Sequence, residues 1–183
     1  MSRLPSPLRR LFAALLAVVA ASCGGRGGGG PTPQAWMTTL CGALVKWQGV
    51  MTDLPPLPRD DLAAAKNVLG ELLDNAVTST DELIRTIRGA GAPDVENGAE
   101  LAQGYQTALT SIRDSLDNAR TKAQALDPAK PEEFGAGLTT IVTELEAATS
   151  ALGRTFDENY RKYKSEELDN AAKEVEECNE LVM

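Results

Sequence analysis

Histidine is absent from all 183 residues of this chain. That absence excludes Ser-His-Asp triads, Cys-His nucleophile pairs, histidine zinc sites and the Glu-x-x-His motif of ferritin-like di-iron bundles. Cysteine is scarce and odd in number, at three: Cys23, Cys41 and Cys178. The longest apolar run, Leu11 to Ala21, is far short of the roughly 20 residues a permanent membrane span needs. No segment alternates apolar and polar residues with the period of two that a half-buried strand requires, so strands are not expected. Excess positive charge is missing too, since the net charge is −8. A chain this acidic repels phosphate backbones and anionic bilayers, which argues against nucleic acid as a partner.

The N-terminus states an address. Arg3, Arg9 and Arg10 precede the run from Leu11 to Ala21, and small residues then lead to Cys23, which is the layout of a cleaved export signal. Ala20-Ala21-Ser22-Cys23-Gly24 resembles the lipobox of bacterial lipoproteins, although the family most often has Leu where Ala20 stands. The resemblance implies that residues 1–22 are removed and that Cys23 carries a diacylglycerol thioether as the new N-terminus. The chain would then sit on the extracytoplasmic face of the cell membrane. Leu8-Arg9-Arg10-Leu11-Phe12 also resembles a twin-arginine export motif, but the flanking Ser/Thr and Lys are missing, and ordinary leader charge is the better reading.

Loss of the leader removes three arginines and no acids, leaving 15 basic residues against 26 acidic ones and a net charge of −11 over 161 residues. That length suits one domain with a sizeable core. If Cys23 carries lipid, Cys41 and Cys178 remain as one pair, and an oxidising compartment favours their bridge. Gly24 to Pro33 is too rich in glycine to pack. It reads as a flexible tether of about ten residues with a typical reach near 18 Å. No strand precedes it and no Gly-Lys-Ser/Thr follows, so it is not a phosphate-cradling loop.

From Gln34 onward apolar residues recur at helical spacing, and about five helices are expected over 34–52, 60–89, 94–126, 131–163 and 166–182. Trp36, Leu40, Leu44, Trp47 and Met51 form the first stripe. Leu54-Pro55-Pro56-Leu57-Pro58 ends that helix, because proline lacks a donor and restricts its predecessor. Ser79-Thr80-Asp81-Glu82 has the form of a capping box, but the stripe keeps phase across it, so one long helix is preferred. Pro131 with Glu132 and Glu133 opens the fourth helix, and Ser165 caps the last. Three long helices joined by short loops must run antiparallel to bury their stripes. The expected fold is an all-α, elongated antiparallel helical bundle whose terminal helices are linked by Cys41–Cys178 and form a fourth layer.

Little in this pattern carries chemistry. The acid pairs Glu132/Glu133, Glu144/Glu146, Asp157/Glu158 and Asp114/Asp117 are of the kind that any helix surface displays, so no catalytic residue is assigned. Seven acids crowd the last 19 residues, but the Asp-x-Asp-x-Asp-Gly spacing of a calcium loop is absent, and a solvated face accounts for them. No metal or cofactor is expected. The one basic and aromatic cluster of the mature chain is Tyr160-Arg161-Lys162-Tyr163-Lys164. With Trp36 it makes a weak candidate interaction surface, set against tyrosines and tryptophans that simply reach the core. Trp36 and Trp47 sit on the core stripe of the first helix and are expected to pack there, with Trp36, nearest the tether, the more exposed of the two.

Trp36-x-x-x-Leu40-Cys41-Gly42-Ala43-Leu44-x-x-Trp47 behind a lipobox and Gly/Pro tether, with a late cysteine, resembles small exported helical lipoproteins of high-GC actinobacteria. The resemblance implies location and fold and carries no activity. The expected role is a non-catalytic, lipid-anchored envelope protein that contacts another envelope protein or a wall component through a helix face. The alternative is a small-molecule or ion-binding accessory, a sensor or transport partner, with its site between the helices.

Overall fold

The computed structural model describes residues 29–53 and 55–181. The expected export leader, Cys23 and the first part of the expected tether lie outside the described residues. Among those described there are six helices and no strand: α1 Pro33–Thr52, α2 Leu62–Ala90, α3 Gly98–Ala125, α4 Pro131–Tyr163, α5 Glu166–Glu174 and α6 Glu176–Glu180. At 1.5 Å per residue α4 spans about 50 Å, which gives the bundle its length. None of these helices is long and apolar enough to cross a membrane.

Each boundary has a local cause. Thr32 and Asp61 accept hydrogen bonds from the backbone N–H groups of Ala35 and Ala64, capping α1 and α2. Ser165 does the same for Leu168 at the start of α5. Helix α2 runs unbroken through Ser79 and Thr80. Thr80 is fully buried, donating its hydroxyl to the Ala76 carbonyl at 2.7 Å and accepting the Trp47 indole N–H at 2.8 Å.

Three expectations shift. Either Asp94 or Asn97 can cap the third helix, and Asn97 holds the cap position, so α3 begins at Gly98 rather than 94. A Cβ on Gly98 would lie 2.1 Å from the Pro93 carbonyl oxygen, so only glycine fits. The expected last helix is two, since Val175 is extended (φ −92°, ψ 116°), and this break re-aims the chain toward α1. The end of the tether is docked rather than free. The Asp94 N–H donates to the Pro31 carbonyl at 2.9 Å, and a Cβ on Gly30 would lie 2.3 Å from the Ala92 oxygen.

Helix α3 packs between α2 and α4, and α1 packs between α2 and the α5–α6 arm. The Cys41–Cys178 bridge joins the terminal helices, with a Cα–Cα distance of 4.9 Å. The core is a contiguous cluster from Trp36 and Leu40 through Leu73, Ile87, Leu109 and Ala119 to Ile141 and Leu168. Alanines such as Ala119 and Ala123, each 1% exposed, let the long helices approach closely.

Candidate functional site

Trp36 is 1% exposed, in the core as its stripe predicts, and of the two tryptophans it is Trp47 that is partly exposed. Its indole N–H donates to the Gly91 carbonyl at 3.0 Å. Its ring stacks on Tyr105 at 6.1 Å, and Tyr105 meets Phe156 edge to face at 4.6 Å. The chain of rings ties α1, α3 and α4 together at one end of the bundle. Trp36 therefore belongs to the core and makes no common surface with the basic cluster. Tyr105 sits in that core with its phenol pushed well above its usual range by burial, then by Tyr160 and Asp157.

The residues 160–164 are split between structural and exposed roles. Tyr160 donates to Asp169 of α5 and is pushed up to about 12, first by burial and then by that hydrogen bond. Tyr163 packs at the edge of the core, and the Lys162 ammonium lies 4.8 Å from its ring centroid. Arg161 pairs with Asp157 at 3.5 Å, and Lys164 stands exposed after α4. Both tyrosines thus serve the fold, leaving only three cations outside.

Each acid pair has at least one member in an ion pair. Glu144 is held by Lys122, while Asp114 and Asp117 lie 3.6 and 3.5 Å from Arg113. Among the described residues no group of three or more His, Cys, Asp or Glu is placed to hold a metal ion.

Two surface features were not anticipated from sequence. The first is α1 itself, whose twenty residues contain a single charge, Lys46. In its first half Trp36, Met37, Leu40 and Cys41 are in the core, while Gln34, Ala35 and Thr38 are exposed. The second half has no buried residue. Leu44, Val45, Trp47 and Met51 are only half-buried, and Val50 is 38% exposed. Beside Val50 an open groove of about 640 Å³ runs between α1 and α2, lined by Met51, Pro55, Val68 and Leu72, with Lys46, Asp53 and Glu71 at its rim. Lys46 bonds Glu82 at 2.7 Å and holds that carboxyl below its usual range.

The second is a polar groove of about 500 Å³ between α2 and α3, with Arg85, Arg88 and Arg113 on its walls. Asp81 organises two of them. Its carboxylate accepts from Arg113 Nε at 3.1 Å and its backbone carbonyl from Arg85 Nε at 3.3 Å. The hydrogen bond to Asp81 holds the Arg113 guanidinium above its usual range. Arg88 makes no ion pair among the described residues.

A scan against protein-family models matches none, and searches of the curated proteins and of the solved structures return no match.

Proposed function

We propose that this chain is a lipid-anchored, extracytoplasmic helical bundle that acts without catalysis, by offering a helix face to another component of the cell envelope. The observation that carries the reading is the second half of α1, a nearly uncharged helix left half-covered in a strongly acidic protein. Burying Val50 and the half-covered Leu44, Val45, Trp47 and Met51 against a partner is favourable by about 25 cal/mol per Å² of apolar area. The anchor reading is supported by cysteine pairing. With Cys41 bonded to Cys178, Cys23 is the one cysteine left over, at the position the lipobox pattern assigns to lipid.

The anchor is tested by Cys23→Ser. The variant is expected to leave the membrane fraction for the soluble one, because two acyl chains supply the binding. Retention on membranes would overturn the anchor. The face is tested by photoreactive residues spread over all exposed helices in intact cells. Cross-links confined to α1 and the adjoining side of α2 are expected, and cross-links confined to α3 and α4 would contradict the assignment.

A second reading, a small-molecule accessory, draws on the arginine groove between α2 and α3. Paired guanidiniums favour carboxylate or phosphate groups, so its ligand would be a small anion.

A further inference from the structure

We propose that the end of the bundle where α1 begins is its lipid-facing end, with the 91–97 loop and the close of α4 turned toward the bilayer and the 126–130 loop turned away. The proposal rests on the reading of Cys23 as the lipid-bearing residue and adds which way up the bundle stands.

The end of the tether carries the argument. The Pro31 carbonyl accepts the Asp94 N–H at 2.9 Å, and Gly30 lies so close to Ala92 that a Cβ on it would come within 2.3 Å of the Ala92 carbonyl oxygen. The fold therefore grips the chain as far out as Gly30, against the loop that joins α2 to α3. Seven residues lead from Cys23 to Gly30, and fully extended they span at most about 25 Å. Helix α3 runs 28 residues from that loop to the opposite end of the bundle, a length of about 42 Å. An inverted bundle would lift Gly30 beyond the reach of its own anchor, so the far end does not face the lipid.

Charge decides between standing and lying flat. From Glu132 to Glu158, α4 carries six acids against one base, Arg154, so an anionic lipid surface repels that flank. The anchored end is mixed instead. Arg161, Lys162 and Lys164 close α4, with Glu166 and Glu167 just beyond them and Glu96 in the 91–97 loop. That end gains little from the lipid by charge and is held there by the shortness of the tether. Val50 lies 17 residues along α1 from Pro33, about 26 Å, which places the exposed half of α1 outside the lipid rather than in it.

The test places a fluorescent amino acid at position 96, 50 or 129 of the full-length, lipidated chain, offered to vesicles of phosphatidylcholine and phosphatidylglycerol that carry an energy acceptor on their headgroups. Glu96, Val50 and Ala129 are all exposed, so no label disturbs the core. Energy transfer is expected to be several-fold stronger from 96 than from 129, with 50 between them. Transfer from 50 or 129 that equals or exceeds that from 96, in a chain bound to the vesicles, overturns the orientation and leaves the anchor standing. A chain that does not bind the vesicles overturns the anchor reading and the orientation with it. Inserting about thirty Gly/Ser residues between Cys23 and Gly29 raises the typical reach to about 33 Å and is expected to flatten the gradient. A gradient that survives the insertion contradicts the tether as its cause.

Discussion

The two ends of this bundle are held by different physics. At the end where α1 begins, the rings of Trp36, Tyr105 and Phe156 interlock and Cys178 is bonded to Cys41. The α5–α6 arm covers Met37 and Leu40 there with Leu168, Ala171 and Val175 in the same core. At the far end, α2, α3 and α4 meet through Leu69, Leu73, Ile112, Leu116, Ala119 and Ile141. Polar stitches on the outside are Arg120 to Asp74 at 3.2 Å and Lys66 to the Leu126 carbonyl at 2.7 Å. The far end consists of three long helices that support one another. The near end includes helices of nine and five residues, too short to persist alone. Covalent and aromatic fastening occurs where local helix stability is least.

Breaking the bridge gives the largest effect. Cys41→Ser with Cys178→Ser opens a loop with a sequence separation of 137, and chain entropy sets the ceiling of the loss at about 5 kcal/mol. A fall in melting temperature on the order of 10 °C is expected. Hydrogen exchange should show protection lost first in α5 and α6. An unchanged transition would show that the arm holds itself.

Core truncations rank next and weigh the two ends against each other. Trp36→Ala removes a large buried ring and its hydrogen bond to Gly91, at a cost of about 4 kcal/mol, and Leu116→Ala at the far end costs about 3 kcal/mol. Urea midpoints measure both, and the reverse order would refute the aromatic fastening. Arg120→Ala breaks a partly exposed pair and is expected to cost only about 0.5 kcal/mol by the same assay.

The smallest effect is a pH response of the arm. Tyr160 has its pKa raised to about 12 from the usual 10. The folded state therefore holds the phenolic proton more tightly than the unfolded chain does. Its contribution is complete below pH 10 and is lost as pH rises toward 12. Hydrogen exchange of α5 should accelerate over that window in the native chain, and less in Tyr160→Phe. Equal acceleration in both would remove Tyr160 from the account.

Most of the scaffold was legible because it follows from periodicity and punctuation. The first helix's stop before Pro55, the start of α4 at Pro131 and the Ser165 cap are local signals, and the structure follows them. The bridge was legible from cysteine arithmetic combined with the lipobox resemblance. What failed depended on contacts distant in sequence. Trp36, not Trp47, is the fully buried tryptophan because its indole reaches the Gly91 carbonyl 55 residues on, and the docking of Gly30 and Pro31 depends on Ala92 and Asp94. The role of Thr80 depends on Trp47, 33 residues away, whose indole N–H it accepts. The exposed half of α1 was missed for a related reason. Its near-lack of charge marks it as buried, and its cover depends on how far the α5–α6 arm, bonded to it across a sequence separation of 137, reaches along it. The arginine groove arises from two helices meeting and has no signature in either one.

The most direct test of the central claim is the mass of the mature protein extracted from membranes, with a non-reducing peptide map. The account predicts a chain beginning at a diacylated Cys23 and containing an intact Cys41–Cys178 bridge. A chain that retains the leader, or that carries Cys23 as a free or disulfide-bonded thiol, would contradict it.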